Sequence, residues 1–332
     1  MRHGLFISWA PFSRRTESLA QRFDLDLRFV TTPWPKRPLL TPVKYPWQAV
    51  STAALLSGDR HDEYWVMDPP SPLVALAGAA ARRRHVPLVI DMHTVAFFAP
   101  EWKLLRRLEL PALRRAAAVI VTNRSLAQRV AAWGAKAMVL PDPLPEPLAV
   151  TEAVDEELVT IVATYSKDEP LEILPDVARR LPSLRFVVTG APHGDLSSWP
   201  DNLQPSGFLD DRDYWALLAR SAVIVVLTTR QDTLLSGGYE ALALERPLVT
   251  SDHTVLRQYV DDAALFATAR ADDLATAVAD AVAAGDELHV RLRTLRRRRE
   301  AEWRREAQAL RTLLGRPEDA QPEAPAESRA AA

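Results

Sequence analysis

The sequence predicts an α/β protein built from two tandem halves, each a parallel sheet of alternating strands and helices. Three observations predict it. Short apolar runs alternate with helical stretches from the first residues onward, as parallel sheets require. Residues 141–147, PDPLPEP, form a stiff proline-dense linker. Near Val150 the alternation starts again.

At 332 residues the chain is long enough for two such domains. Its 48% hydrophobic and 25% charged content lets it bury a core and stay soluble. A net charge of -2 gives no global field that favours nucleic acid, and none is expected as a partner. With no cysteine, disulfides, thiol nucleophiles and Cys-ligated metals are excluded. The start, MRHGLFISW, lacks a signal-peptide run, and no stretch approaches the roughly 20 apolar residues of a membrane span. A cytoplasmic protein is expected.

In the first half, residues 5–9 read as a buried strand, 10–15 as a loop, 16–22 as a helix and 26–30 as a second strand. The loop at the carboxyl end of the first strand is where such folds place ligands. Arg14 and Arg15 there either hold a phosphate or form a solvated pair at a helix start. Residues 31–46 are too rich in proline for a central strand or long helix. They read as a long functional loop or lid, where Trp34 and Tyr45 stack on a ligand's rings or pin the loop. A helix over 48–56, a strand over 64–67, a turn over 68–72 and a helix over 73–84 follow. Residues 87–94, PLVIDMHT, are a buried strand with a polar tip. His93 at that tip can donate to a phosphate or orient a hydroxyl, or else bond the backbone beneath a loop. Residues 102–116 are basic, carry Trp102 and are interrupted at Pro111. They suit an anionic membrane surface or a solvated face. A strand over 117–123, a helix over 125–133 closed by Gly134 and a strand over 137–140 complete this half.

The second half holds strands over 159–164, 185–190 and 223–228, and helices over 170–180, 215–220 and 272–284. A long last helix over 287–314 is basic at Arg296 to Arg299, read as a solvated face or one near acidic lipid. Trp303 and leucines 292, 295, 310 and 313 form its buried stripe. From 315 the composition is that of a disordered tail. The domains are therefore 1–150, 151–286, the helix 287–314 and the tail 315–332.

Residues 232–252, DTLLSGGYEALALERPLVTSD, carry the chemistry. Ser236, Gly237 and Gly238 open a helix, leaving backbone N–H groups and the positive dipole end for a phosphate. Glu240, in the first turn, can accept both hydroxyls of a ribose. Asp232, on the loop before, can reach a second sugar. Together they fit a sugar–diphosphate–nucleoside. A plain loop–helix–strand unit with solvated acids is the other reading.

This stretch resembles the nucleotide-sugar motif of retaining GT-B glycosyltransferases of the large family numbered four (group 1). Their pattern is Glu, seven residues with glycines, Glu, then Gly-x-Pro before a strand. Here Asp232 replaces the first Glu, and Glu245-Arg246-Pro247 holds Glu where Gly is usual. Residues 187–190 (VVTG), 206–208 (SGF) and 222–227 also match. The resemblance implies two Rossmann-like domains whose parallel sheets face a central cleft, with the last helix crossing back to the first domain. It implies sugar transfer with retention from a nucleotide-sugar donor, without a metal, a cofactor or a covalent nucleophile. In that picture Glu240 holds the ribose, with Ser236, Gly237, Gly238 and Tyr239 around the donor. Asp232 orients the transferred sugar and His93 faces the reaction centre. Gly207 and Phe208 meet the base through backbone groups.

Relatives carry an Arg and a Lys after the first strand of the second domain. Here Thr164-Tyr165-Ser166-Lys167 stands there, so the diphosphate falls to Lys167 with the hydroxyls of Thr164 and Ser166, or to Arg230 or Arg14. A saccharide or lipid-linked acceptor, a polysaccharide or glycolipid pathway and peripheral contact with the inner face of the membrane follow from family habit. Two other functions stay open: a catalytically weak nucleotide-sugar-binding scaffold subunit, and a sugar-nucleotide epimerase of GT-B fold. A dinucleotide oxidoreductase is disfavoured, because no Gly-x-Gly-x-x-Gly follows an early strand.

Overall fold

The computed structural model describes residues 3–32, 41–149, 152–192 and 195–316. Density of contacts divides the chain into two units. One holds residues 1–120, 130–140 and 303–332, the other 121–129 and 141–302. Trp34 and the tail from residue 317 lie outside the described residues.

The first sheet takes strands β1 (Gly4–Ser8), β2 (Leu25–Phe29), β3 (Glu63–Asp68), β4 (Leu88–Met92), β5 (Ala118–Val121) and β6 (Ala137–Val139). Their order is β2-β1-β3-β4-β5-β6, with parallel ladders. Every residue of β1, β3, β4 and β5 is buried, which is why these strands read as near-continuous apolar runs. The helices are α1 (Arg14–Arg22), α2 (Thr41–Gly58), α3 (Ser71–Arg84), α4 (Thr94–Phe98), α5 (Pro100–Arg115) and α6 (Arg124–Ala132).

The second sheet takes β7 (Asp155–Ile161), β8 (Arg185–Thr189), β9 (Leu203–Gly207), β10 (Ser221–Val226), β11 (Leu248–Ser251) and β12 (Leu265–Ala267). Their order is β12-β11-β10-β7-β8-β9, again parallel. Around it lie α7 (Leu174–Arg180), α8 (Asp211–Arg220), α9 (Ser236–Leu244), α10 (Thr254–Val260), α11 (Ala271–Ala283) and α12 (Gly285–Leu313). No helix among the described residues is long and apolar enough to cross a membrane.

Helix α12 contributes to two cores. Leu292 and Leu295 pack with Ile224, Leu242 and Leu248, whereas Ala307 and Leu310 pack with Phe6, Phe23 and Trp65. Trp303 meets Phe23 edge-on at 6.3 Å. The stripe ends on Leu314, at 2% exposure, and not on Leu313, at 52%.

Several boundaries differ from the sequence reading. Helix α1 begins at Arg14, because the Ser13 hydroxyl caps it by accepting from the Thr16 amide at 3.2 Å. Arg14 and Arg15 are therefore helical, not in the loop. Helix α2 starts at Thr41, inside the stretch read as a loop. Pro46 sits just over one turn in, where it forfeits a single ladder bond. Helix α5 likewise runs through Pro111, which lies on its exposed face. Tyr45 packs between Trp9 at 6.2 Å and Trp102 at 5.9 Å, so its ring pins α2.

Candidate active site

In the second sheet the strand order reverses between β7 and β10. The chain leaves β7 toward β8 and β9, and leaves β10 toward β11 and β12. Ligands of open α/β sheets bind at the carboxyl ends of strands at such a point. The loops after β7 and β10 are tied together there by Asp168. Its Oδ1 lies 2.9 Å from Arg230 Nη2, its Oδ2 accepts from the Thr228 hydroxyl at 3.0 Å, and its carbonyl accepts from the Thr229 amide at 2.7 Å. Burial opposes ionisation of Asp168, but the Ser166 and Thr228 hydroxyls and the Arg230 charge outweigh it. The carboxyl is held below the usual carboxylate range.

The same loop consumes most of its own polar groups. The Thr164 amide and hydroxyl and the Ser166 amide all donate to Glu169, and the Ser166 hydroxyl donates to Asp168. Arg230 is already matched by Asp168. Lys167 is exposed, and no carboxylate partners it among the described residues. Of the predicted diphosphate cations in this unit, Lys167 is thus the one whose charge stays uncommitted.

Helix α9 starts beside these loops with no side-chain cap. The Gly238 and Tyr239 amides turn back to the Leu235 carbonyl, at 3.0 and 3.3 Å. The amides of Ser236 and Gly237 have no internal partner among the described residues. Gly237 is demanded by packing: a Cβ there would sit 2.9 Å from both Val162 Cγ1 and Val226 Cγ2. Gly238 faces open space. Tyr239 turns its ring inward, edge-on to Tyr259 at 5.3 Å, so only its backbone belongs to the helix mouth. Glu240 is 3% exposed and accepts a hydrogen bond on Oε2 from the Tyr214 hydroxyl.

Asp232 lies on the loop before α9. Its Oδ2 is 3.2 Å from Arg129 Nη2, and its carbonyl accepts from Asn123 Nδ2 at 3.0 Å. On the far side of β7, Gly190 takes a φ of +88°, and a Cβ there would come 2.5 Å from the Ala163 carbonyl oxygen. Gly207 takes a φ of +70° with open space around it, and Phe208 beside it is 88% exposed.

The first sheet reverses between β1 and β3. His93 follows β4, the neighbour of β3, and caps the start of α4. Its amide donates to the Asp68 carbonyl at 2.7 Å, and its Nε2 is 3.0 Å from Asp91 Oδ2. Asp91 is fully buried, and Arg15 Nε meets its other oxygen at 2.8 Å. Arg15 also donates to the Leu140 carbonyl at 2.9 Å. Burial opposes the charge on Asp91, but Arg15 and His93 hold its carboxyl below the usual range. A carboxylate on Nε2 fixes the ring and leaves Nδ1 as the second functional nitrogen. Arg15 is committed to this buried pair, while Arg14 is exposed.

Sequence reasoning missed Asp91, Asp168 and Tyr214. Asp91 left a signal, an acid inside an apolar strand, where a charge needs a partner. Tyr214 left none, since only the packing of α8 on α9 brings it to Glu240.

Residues 10–143 match the family described as a glycosyl transferase 4-like domain, and residues 149–313 the family described as glycosyl transferase-like. No curated protein matches the chain in sequence. Among solved structures, HepE of Anabaena in complex with UDP and glucose superposes with a TM-score of 0.71 at 14% identity, over 94% of this chain and 100% of that one. Sucrose-phosphate synthase from Thermosynechococcus elongatus gives 0.69 at 15%, over 94% and 98%. The N-terminal domain of Candida albicans trehalose-6-phosphate phosphatase gives 0.67 at 12%, over 95% and 96%. At such identities the likeness carries the fold. With the two family matches spanning both sheets, the chain belongs to the family-4-like, group 1 glycosyltransferases of GT-B fold.

Proposed function

We propose that the protein transfers a sugar, with retention, from a nucleoside-diphosphate sugar to a saccharide or lipid-linked acceptor, in cell-surface polysaccharide or glycolipid synthesis. One observation carries the donor half of this reading. At the β7/β10 reversal, the Ser236 and Gly237 amides, with no internal partner among the described residues, open α9 beside the Lys167 loop, and Glu240 stands just past the first turn rather than in it. In this reading the amides and Lys167 hold the leaving diphosphate. As the glycosidic bond breaks, negative charge grows on that phosphate and meets donors already in place. Glu240 accepts the ribose hydroxyls, Asp232 orients the sugar, and His93 serves the acceptor. HepE, which is seen with UDP-glucose, supports a donor of this class.

A thermal-shift screen of the full chain against UDP, GDP, ADP and their sugars tests the donor site. A ligand at a hundredfold excess over its Kd stabilises by about 2.7 kcal/mol, so one nucleotide series should raise Tm. Glu240→Ala should remove that rise. An unchanged rise would contradict the ribose assignment.

A scaffold role is the second reading. It is favoured by the occupation of two donor-site charges, Asp232 by Arg129 and Arg230 by Asp168. Donor binding without turnover over any acceptor would support it. Product formed from donor alone would instead reveal the epimerase.

We place the work in the cytoplasm, at the inner membrane face. On α5, Leu104 is 80% and Leu108 54% exposed, one turn apart. Lys103, Arg107 and Arg115 are exposed around them with no carboxylate partner among the described residues. Apolar and basic side chains on one helix face suit an anionic lipid surface.

A further inference from the structure

Helices α3 and α5 lie side by side on the first sheet and end together, where the Ala117 amide donates to the Leu88 carbonyl at 2.8 Å. They touch through small residues: a Cβ on Gly78 would come 2.4 Å from Ala112 Cβ. Outside that contact a cavity of about 430 Å³ opens between them, within the roughly 300–1,000 Å³ usual for a ligand pocket. Ala75 and Ala79 of α3 and Leu108 and Pro111 of α5 form its walls, and Arg82, His85 and Arg115 stand at one end. Among the described residues no carboxylate lines it. Those three basic side chains are exposed, and none has a carboxylate partner among the described residues.

A cation in the last turn of a helix offsets the negative end of its dipole, and two helices end here. That role needs no cavity and no exposed leucine. Leu104, Leu108, Pro111 and Arg115 follow one another along α5 at steps of four, three and four residues, on one face and all exposed. A groove apolar along its length and positive at its end matches the two parts of an anionic phospholipid. We propose that the α3–α5 groove binds one anionic phospholipid, its phosphate on Arg82 and Arg115 and one acyl chain along Leu108, Pro111, Ala75 and Ala79. This rests on the membrane contact proposed above for α5, and it gives that contact a defined lipid site. Leu88 opens β4, whereas His93 follows it, so the basic end of the groove stands at the opposite end of the sheet from His93. The lipid held there is an anchor and not the sugar acceptor.

The test is calorimetric titration of the full chain with dioctanoyl-phosphatidylglycerol below its micelle concentration, beside dioctanoyl-phosphatidylcholine and glycerol phosphate. The anionic lipid should bind at a single site and more tightly than either control. Ala79→Trp fills the groove from an exposed wall position and should abolish binding without lowering Tm. Arg82→Gln with Arg115→Gln should weaken binding about twenty-five-fold, roughly fivefold for each basic side chain. Equal affinity for phosphatidylcholine or for glycerol phosphate overturns the proposal, and so does an affinity unchanged in either variant. Co-sedimentation with phosphatidylglycerol vesicles separates this proposal from the reading it rests on. Vesicle binding without binding of the single lipid overturns the groove and leaves the α5 contact standing. Loss of both overturns both.

Discussion

Asp68 ends β3 with no exposure and no hydrogen-bond partner for either oxygen among the described residues. Arg106 Nη1 stands 3.8 Å from Oδ2 but is bonded to Glu109, whose carboxyl is also buried. Burial, and then the Glu109 charge, push the Asp68 carboxyl well above its ordinary range, and burial raises Glu109 as well. The folded protein therefore keeps a proton that the unfolded chain releases above about pH 4. Stability from this site is full below that pH and is lost as pH rises toward the raised folded value. Asn at 68 has no proton to lose, and its amide can donate to the unpartnered Glu109 Oε2. Asp68→Asn should gain on the wild type as pH rises from 4.5 to 8, by about 1–3 kcal/mol at the upper end. Paired thermal melts across that range measure it, and a gap that does not change with pH contradicts it. At this scale the sequence shows the acids but not their partners. Asp91 is conspicuous in LVIDM, yet its cation, Arg15, comes from 76 residues away.

The short, strongly patterned elements were legible, and the polar or minimal ones were not. Strand β9, LQPSG, contains Pro205 and sits on the sheet edge, where a missing N–H is tolerated. Nothing in its pattern says strand. Helix α12 shows a different limit. Its arginine run could be read as lipid-facing, but the structure gives most of those charges acidic partners. Arg296 meets Glu245 and Glu300, Arg298 meets Asp261 and Arg299 meets Glu302. Glu245 also meets Arg293 at 2.9 Å, which accounts for a Glu in the left-handed cap of α9, at φ 56°, where Gly is usual. On α5, by contrast, Lys103, Arg107 and Arg115 are exposed beside Leu104 and Leu108 with no carboxylate partner among the described residues. The chain should co-sediment with phosphatidylglycerol-containing vesicles and not with pure phosphatidylcholine. Glu at both Leu104 and Leu108 should abolish that binding. Arg107→Gln should weaken it roughly fivefold, since one basic side chain near such a surface contributes about 1 kcal/mol. Equal binding to both vesicle types would remove α5 from the membrane.

Across the whole molecule, two six-stranded parallel sheets each reverse their strand order once, at β1/β3 and at β7/β10. The tandem halves were legible because buried parallel strands leave long apolar runs and the hinge leaves prolines. The strand order was not, because periodicity marks a strand and never its neighbours. That order brings the β7 loop with Lys167 beside the glycine-bearing start of α9, which supports the proposed site. The central claim is that a nucleoside diphosphate binds at this reversal. Hydrogen–deuterium exchange of the full chain, with and without the nucleotide that raises its Tm, tests it most directly. The account predicts slowed exchange in peptides covering residues 163–169 and 228–244. Protection confined to the loops of the first sheet, with those two segments unchanged, would contradict it.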